Sequence, residues 1–271
     1  MTQGATVSKY ELKTALGHGS RSTTWRAVCS TGGCHGQQVV LTSIAPPTHQ
    51  REQVDLTNLL AIAQLWHPNL AKLLQVGRTG SDVYLVSEYI KGRSLQEMLQ
   101  VYSECGQRMP QGLVLWALGI SCEALAYLHE QGLFHGGVSA RRVMLAESGW
   151  VKLRGAGIGR TGAELRIADE LTEVGQRRDR EAVAGILDQL VLGTEGQSPP
   201  VVRGLFDRRG AQPLRAIGQV LMEAARITSP AVVPPPSSHR ADEIDPLGLP
   251  EPRPLPGSVQ AWQTLSRSLV P

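Results

Sequence analysis

Cys29, Cys34 and His35 fall together in one short stretch, CSTGGCHG. Thiolate and imidazole are the ligand types of a zinc site, but a closed site needs four ligands and only three are local. The surrounding glycines fit a hairpin loop instead. The N-terminus, MTQGATVSKYEL, has no apolar core of a secretory leader. These thiols, and those of Cys105 and Cys122, are therefore expected to be reduced. Lysine is scarce: of 27 basic residues only Lys9, Lys13, Lys72, Lys91 and Lys152 are lysines. Any reaction that needs an ammonium group at a set place has few candidates.

The elements that must position such groups follow from composition and pattern. The chain has 271 residues, 41% hydrophobic and 19% charged, which is enough for a sizeable core and excludes wholesale disorder or a coiled coil. A net charge of +3 is too small to argue for nucleic acid. No window approaches 18 uninterrupted apolar residues, so no membrane partner is expected, and the chain reads as cytoplasmic.

Residues 10–90 read as strands with one helix among them. YELKTAL, TTWRAV, QQVVLTSI and DVYLVSEYI are short runs rich in β-branched and aromatic residues, separated by turns. REQVDLTNLLAIAQLW carries a helical stripe that ends at His67-Pro68. From residue 94 the pattern becomes helical. SLQEML is short, and Pro110 opens a long apolar helix that Gly132 stops. Two further helices are expected at 180–193 and 213–227. Nine of the 17 prolines lie between Pro230 and Pro256, which predicts an extended linker. A weak stripe through Val259, Trp262, Leu265 and Leu269 predicts a terminal helical segment.

Five phrases, in order, resemble the protein kinase family. LGHGSRSTTWRA resembles its Gly-rich loop, HPNLAKLLQVG the segment after its helix C, and YLVSEYIKGRSL the strand and hinge that hold adenine. ALAYLHEQGLFHGGVSARRVML resembles the run into its catalytic loop, and VKLRGAGIGR the segment bearing its metal-binding aspartate. The style is closest to bacterial Ser/Thr kinases of the eukaryotic type. The resemblance implies an α+β, bilobal fold, with a small antiparallel sheet and one helix in the first lobe and a mostly helical second lobe. It also implies boundaries: an N-terminal extension at 1–9, a kinase-like domain at 10–228 (first lobe 10–90, second lobe 91–228), a Pro-rich linker at 229–257 and a helical segment at 258–271.

The family transfers phosphate with a lysine paired to a helix C glutamate, a catalytic-loop aspartate, and an asparagine and second aspartate that hold Mg²⁺. Alignment by these phrases puts Thr42 at the lysine and Asn58 at the glutamate, with Glu52 or Asp55 as substitutes within a turn. It puts Gly137 at the base, Arg142 at the asparagine and Gly155 at the second aspartate. Glycine offers no ligand or base, and guanidinium is a fixed cation with no acceptor. Ala156 replaces the aromatic plug beside Gly155, and His135 is read as a core histidine bonded to backbone.

What remains of the cleft by resemblance is a nucleotide surface: Gly17 and Gly19 in the loop, Val40 on the adenine roof, Glu88, Tyr89 and Ile90 at the hinge, and Met144 below. Val40 stands where alanine is usual and narrows the slot. Arg141, Arg142, Arg154 and Arg160 map near the former metal site and form a candidate anion site. The resemblance thus implies a pseudokinase and not an enzyme: a signalling scaffold or allosteric regulator. Its partner would be a protein, an active kinase being one candidate, and it would have no metal and no cofactor. The alternative is a weak or atypical ATP-binding Ser/Thr kinase or nucleotide sensor, with ATP bound without metal.

Overall fold

The computed structural model describes residues 9–19, 22–45, 56–79, 82–158, 169–192 and 213–228. The expected N-terminal extension (Lys9 apart), Pro-rich linker and terminal helical segment lie outside the described residues, as do Glu52, Asp55 and Arg160.

The first lobe is a five-stranded antiparallel sheet. Its strands are β1 (Tyr10–His18), β2 (Ser22–Cys29), β3 (Gln38–Ile44), β4 (Leu73–Thr79) and β5 (Asp82–Glu88), in the spatial order β1-β2-β3-β5-β4. Alternation along β3 divides its side chains between two faces. Val39 and Leu41 join Tyr10, Ala27, Cys29 and Val86 in a small core of their own. Val40 and Thr42 are directed away from that core, toward the second lobe.

Helix α1 (Thr57–Gln64) buries Leu59 and Ile62 in the main core. The helical stripe ends where the sequence predicts. The ammonium of Lys72 donates to the carbonyls of Ala63 and Leu65, at 3.2 and 2.9 Å, and so satisfies acceptors that the helix end leaves open.

The second lobe starts with β6 (Gly92–Ser94) and α2 (Leu95–Glu104). Ser94 and Glu97 form a reciprocal capping box at the start of α2. The long α3 (Gln111–Glu130) is apolar on most sides and is the core helix of the lobe. Strands β7 (Val143–Ala146) and β8 (Val151–Leu153) pair with β6 in a second small sheet. Helix α4 (Asp169–Leu187), a π-helical turn at Asp188–Leu192 and α5 (Leu214–Thr228) complete the described lobe. Helices α3 and α5 cross at a pair of glycines. A Cβ on Gly119 would lie 2.9 Å from the Gly218 carbonyl, and a Cβ on Gly218 would lie 2.9 Å from the Gly119 carbonyl. Only glycine permits that approach.

Two expectations are corrected here. The helix predicted to begin at 180 begins at Asp169, so Asp179 lies inside it rather than at its start. The stretch DELTEVGQRR has only Leu171 and Val174 as apolar residues, so it carries no stripe that periodicity would register. Cys29 and Cys34, read as reduced thiols, are joined in a disulfide with their Cα atoms 5.7 Å apart. The turn at Gly32–Cys34 brings the end of β2 and the following loop to that separation. Cys105 is free and exposed, and Cys122 is free and buried.

Candidate functional site

The lobes face each other across a cleft whose roof is β2 and β3 and whose floor is β7 and the loop that precedes it. Val40 on the roof and Met144 on the floor are only 9% and 6% exposed, yet neither belongs to a hydrophobic core cluster. Thr42 is buried on the same face, and its hydroxyl lies 3.2 Å from that of Thr24, its cross-strand partner. The roof therefore carries a hydroxyl pair where the resemblance places an ammonium group. Thr24 was not among the sequence candidates; its signal is its register opposite Thr42, which the sequence alone does not print.

At the back of the hinge, Glu88 is fixed by two partners. Its carboxylate accepts from the Lys72 backbone N–H at 3.0 Å and from the Lys152 ammonium at 2.6 Å. This pair ties β5 to β8 and joins the two lobes behind the cleft. The Glu88 side chain is thus committed to this tie. Among the described residues, no hydrogen bond joins the backbone of Tyr89 or Ile90 to the rest of the chain, which leaves that edge open to a heterocycle.

The floor is organised by one buried acid. Asp179 on α4 is 1% exposed and accepts three hydrogen bonds: from the His135 N–H at 2.7 Å, the Gly136 N–H at 3.0 Å and the His129 ring at 3.0 Å. His135 in turn donates from Nε2 to the Arg154 carbonyl at 3.0 Å, because a carbonyl can only accept. Burial, reinforced by the nearby Arg142 charge, pushes this imidazole down to about 4 and keeps it neutral. The reading of His135 as a core histidine bonded to backbone agrees with this geometry.

Arg142 fills the centre of the site. Its Nη1 donates to the carbonyls of Gly155 at 3.0 Å and Ile158 at 2.7 Å. A Cβ on Gly137 would stand 2.6 Å from that nitrogen, and one on Gly155 would stand 3.4 Å from it. Gly155 also sits at φ +80°, a backbone that L side chains rarely adopt. The three altered positions Gly137, Arg142 and Gly155 therefore form one packed unit. Arg154 packs alongside and donates from Nε and Nη2 to the Arg141 carbonyl, at 3.3 and 3.1 Å. Burial first, and then the Arg154 charge, lower Arg142 to about 10, so it remains a cation at neutral pH.

Helix α1 presses directly on this loop. A Cβ on Gly157 would lie 2.7 Å from Leu59 and 2.8 Å from Ile62. Asn58 is partly buried next to that contact, and no described bond links it to Thr42. In the Gly-rich loop, the Gly19 N–H donates to the Ser22 carbonyl at 2.7 Å, while Gly17 is open on its Cβ side. The structure thus brings together Gly137, Arg141, Arg142, Arg154 and Gly155 on the floor, with Val40 and Thr42 above.

Two facing lobes, a hinge with a free backbone edge and a loop anchored on a buried aspartate define the protein kinase architecture. The sequence profile for "Protein tyrosine and serine/threonine kinase" matches residues 10–174, well over half of the chain, and the chain belongs to that family. It is 26% identical over 207 residues to mouse serine/threonine-protein kinase 36, covering 69% of this chain and 15% of that protein. It is 25% identical over 232 residues to a probable serine/threonine-protein kinase of Clostridium perfringens, covering 78% of this chain and 33% of that one. The chain thus spans a third or less of the length of these relatives. The Mycobacterium tuberculosis PknI kinase domain has the same fold, with a TM-score of 0.61 at 17% identity, over 83% of this chain and 99% of that one.

These relatives overturn one expectation. The chain was expected not to be an enzyme, yet its relatives are named serine/threonine-protein kinases and its family is one of kinases. The altered residues at 42, 137, 142 and 155 do not remove it from that family.

The Mg²⁺ that this family uses needs oxygen ligands in near-octahedral array. Positions 142 and 155 offer a guanidinium and a glycine instead. Among the described residues, no three His, Cys, Asp or Glu side chains come together to hold a metal ion. The residues present at these positions do not fit Mg²⁺.

Proposed function

We propose that this chain is an atypical, slow ATP-binding Ser/Thr kinase domain that acts on a signalling protein. The observation that supports it best is the match of the kinase family across residues 10–174, joined to a hinge whose backbone at Tyr89 and Ile90 is free to meet an adenine edge.

Phosphoryl transfer asks little covalent chemistry of the protein. Its transition state is loose, and catalysis is mostly positioning and charge stabilisation. A cleft with a hinge and a cationic floor retains part of both. No carboxylate at position 137 takes the acceptor proton, a contribution worth about 10²–10⁴-fold. The turnover rate is therefore expected to fall below the roughly 1–100 s⁻¹ usual in the family by at least that factor.

The test uses the purified full chain with ATP and a generic Ser/Thr acceptor protein, read by intact mass over hours. Slow labelling of Ser or Thr, together with a nucleotide-induced rise in melting temperature, supports the reading. No label and no thermal shift, with ATP at millimolar concentration, overturns it.

A further inference from the structure

We infer that the nucleotide's phosphates are bound without a metal, by the guanidinium groups of Arg142 and Arg154, so that the free polyphosphate is preferred to its magnesium complex. This inference rests on the nucleotide reading above.

The first support is volume. The Arg142 guanidinium stands between the catalytic-loop position Gly137 and the Gly155–Ile158 turn, and it holds that turn by two carbonyls. Among the described residues, these bonds use Nη1 alone, and Nε and Nη2 have no recorded protein partner. They are donors of the kind that recognise phosphate oxygens.

The second support is charge. The Arg154 backbone N–H donates to the Arg142 carbonyl at 2.9 Å, the Arg154 charge acts on Arg142, and Arg141 is exposed beside them. The acids that act on them are Asp179, toward Arg142, and Glu97, toward Arg154. Asp179 is already committed to His129 and to two backbone N–H groups, and Glu97 to the capping box at Ser94. Among the described residues, the floor therefore carries a surplus of fixed positive charge. A dication placed there would be repelled by it and would find no oxygen side chain at 142 or 155. An uncomplexed polyphosphate, more negative than its magnesium complex, is drawn to it.

The experiment is isothermal titration of the full chain with ATP and with inorganic triphosphate, once in EDTA and once in excess Mg²⁺. The inference expects binding in EDTA at least as tight as with Mg²⁺. It expects Arg154→Gln and Arg142→Met each to weaken binding in EDTA by roughly tenfold or more, the scale of a charge-assisted contact. Arg142→Met removes a buried tie, so circular dichroism checks its fold, and Arg154→Gln decides the matter if that variant is unfolded. Binding that requires Mg²⁺ overturns the inference and leaves the nucleotide reading standing. Binding in EDTA that both arginine variants retain also overturns it. No binding in either buffer overturns the nucleotide reading itself.

Discussion

Arg142 and Gly137 occupy one volume: a side chain at 137 would begin 2.6 Å from the Arg142 Nη1. A side chain at 137 therefore requires the Arg142 guanidinium to move.

A double-mutant cycle expresses this directly. Gly137→Asp is expected to destabilise the chain by about 1–3 kcal/mol, the usual cost of overpacking. In the Arg142→Asn background the same change is expected to cost at least about 0.5 kcal/mol less, because the guanidinium contact is gone and only the Ile158 carbonyl, 2.9 Å from a Cβ at 137, still opposes it. Urea denaturation of the four proteins measures the difference. Equal costs in both backgrounds count against the shared volume.

Val40 is buried yet lies outside both core clusters. Val40→Ala removes two methyl groups from the roof and is expected to cost about 1.5 kcal/mol of stability. The same change should tighten ATP binding, read as a larger nucleotide-induced thermal shift relative to the apo variant. A smaller shift would mean that the purine does not enter beneath the roof.

The Cys29–Cys34 disulfide closes a short loop between β2 and β3. Chain-entropy arguments give about 2 kcal/mol for a loop of this size. Reductant should lower the denaturation midpoint accordingly, and Cys34→Ser should remove the reductant sensitivity. A midpoint that does not respond to reductant in the unmutated chain contradicts the bond.

The buried His135 and the half-buried His67 predict acid sensitivity. Burial, with the Arg142 charge second, lowers His135 to about 4; burial, with the Arg215 charge second, lowers His67 to about 4. In the unfolded chain both rings titrate near 6.5, so on acidification the unfolded state binds protons first. Stability is complete above pH 6.5 and falls as pH drops from there toward 4. Between pH 7 and pH 5, His135 should account for a loss on the order of 2 kcal/mol, with a smaller share from the less buried His67. Urea midpoints across that range measure it, and His135→Gln should flatten the slope. An unchanged slope in that variant would assign the acid response elsewhere.

The fold was legible because its signals are local and ordered. Strand patterning in β1–β5, the Pro110 start of α3 and the sequence around His135 all point to one architecture. The start of α4 was not legible, because a polar helical turn carries no periodic stripe. The altered positions could be counted from the sequence, but their interdependence could not. Nothing in the letters Gly137, Arg142 and Gly155 says that a guanidinium fills the volume the two glycines leave open. The roles of Thr24, Lys72 and Lys152 depend on cross-strand register and on contacts between lobes. Both arise only once the chain is folded. The Glu88 side chain ties the lobes through its ion pair with Lys152, a contact that the hinge sequence alone does not reveal.

The most direct measurement is the metal dependence of phosphoryl transfer by the purified full chain, followed by intact mass on a Ser/Thr acceptor in EDTA and in Mg²⁺. A cleft whose floor cation is Arg142 predicts slow labelling that persists in EDTA and is lost in Arg142→Met. Labelling at the family's usual rate that vanishes with EDTA would contradict it, as would a complete absence of labelling under both conditions.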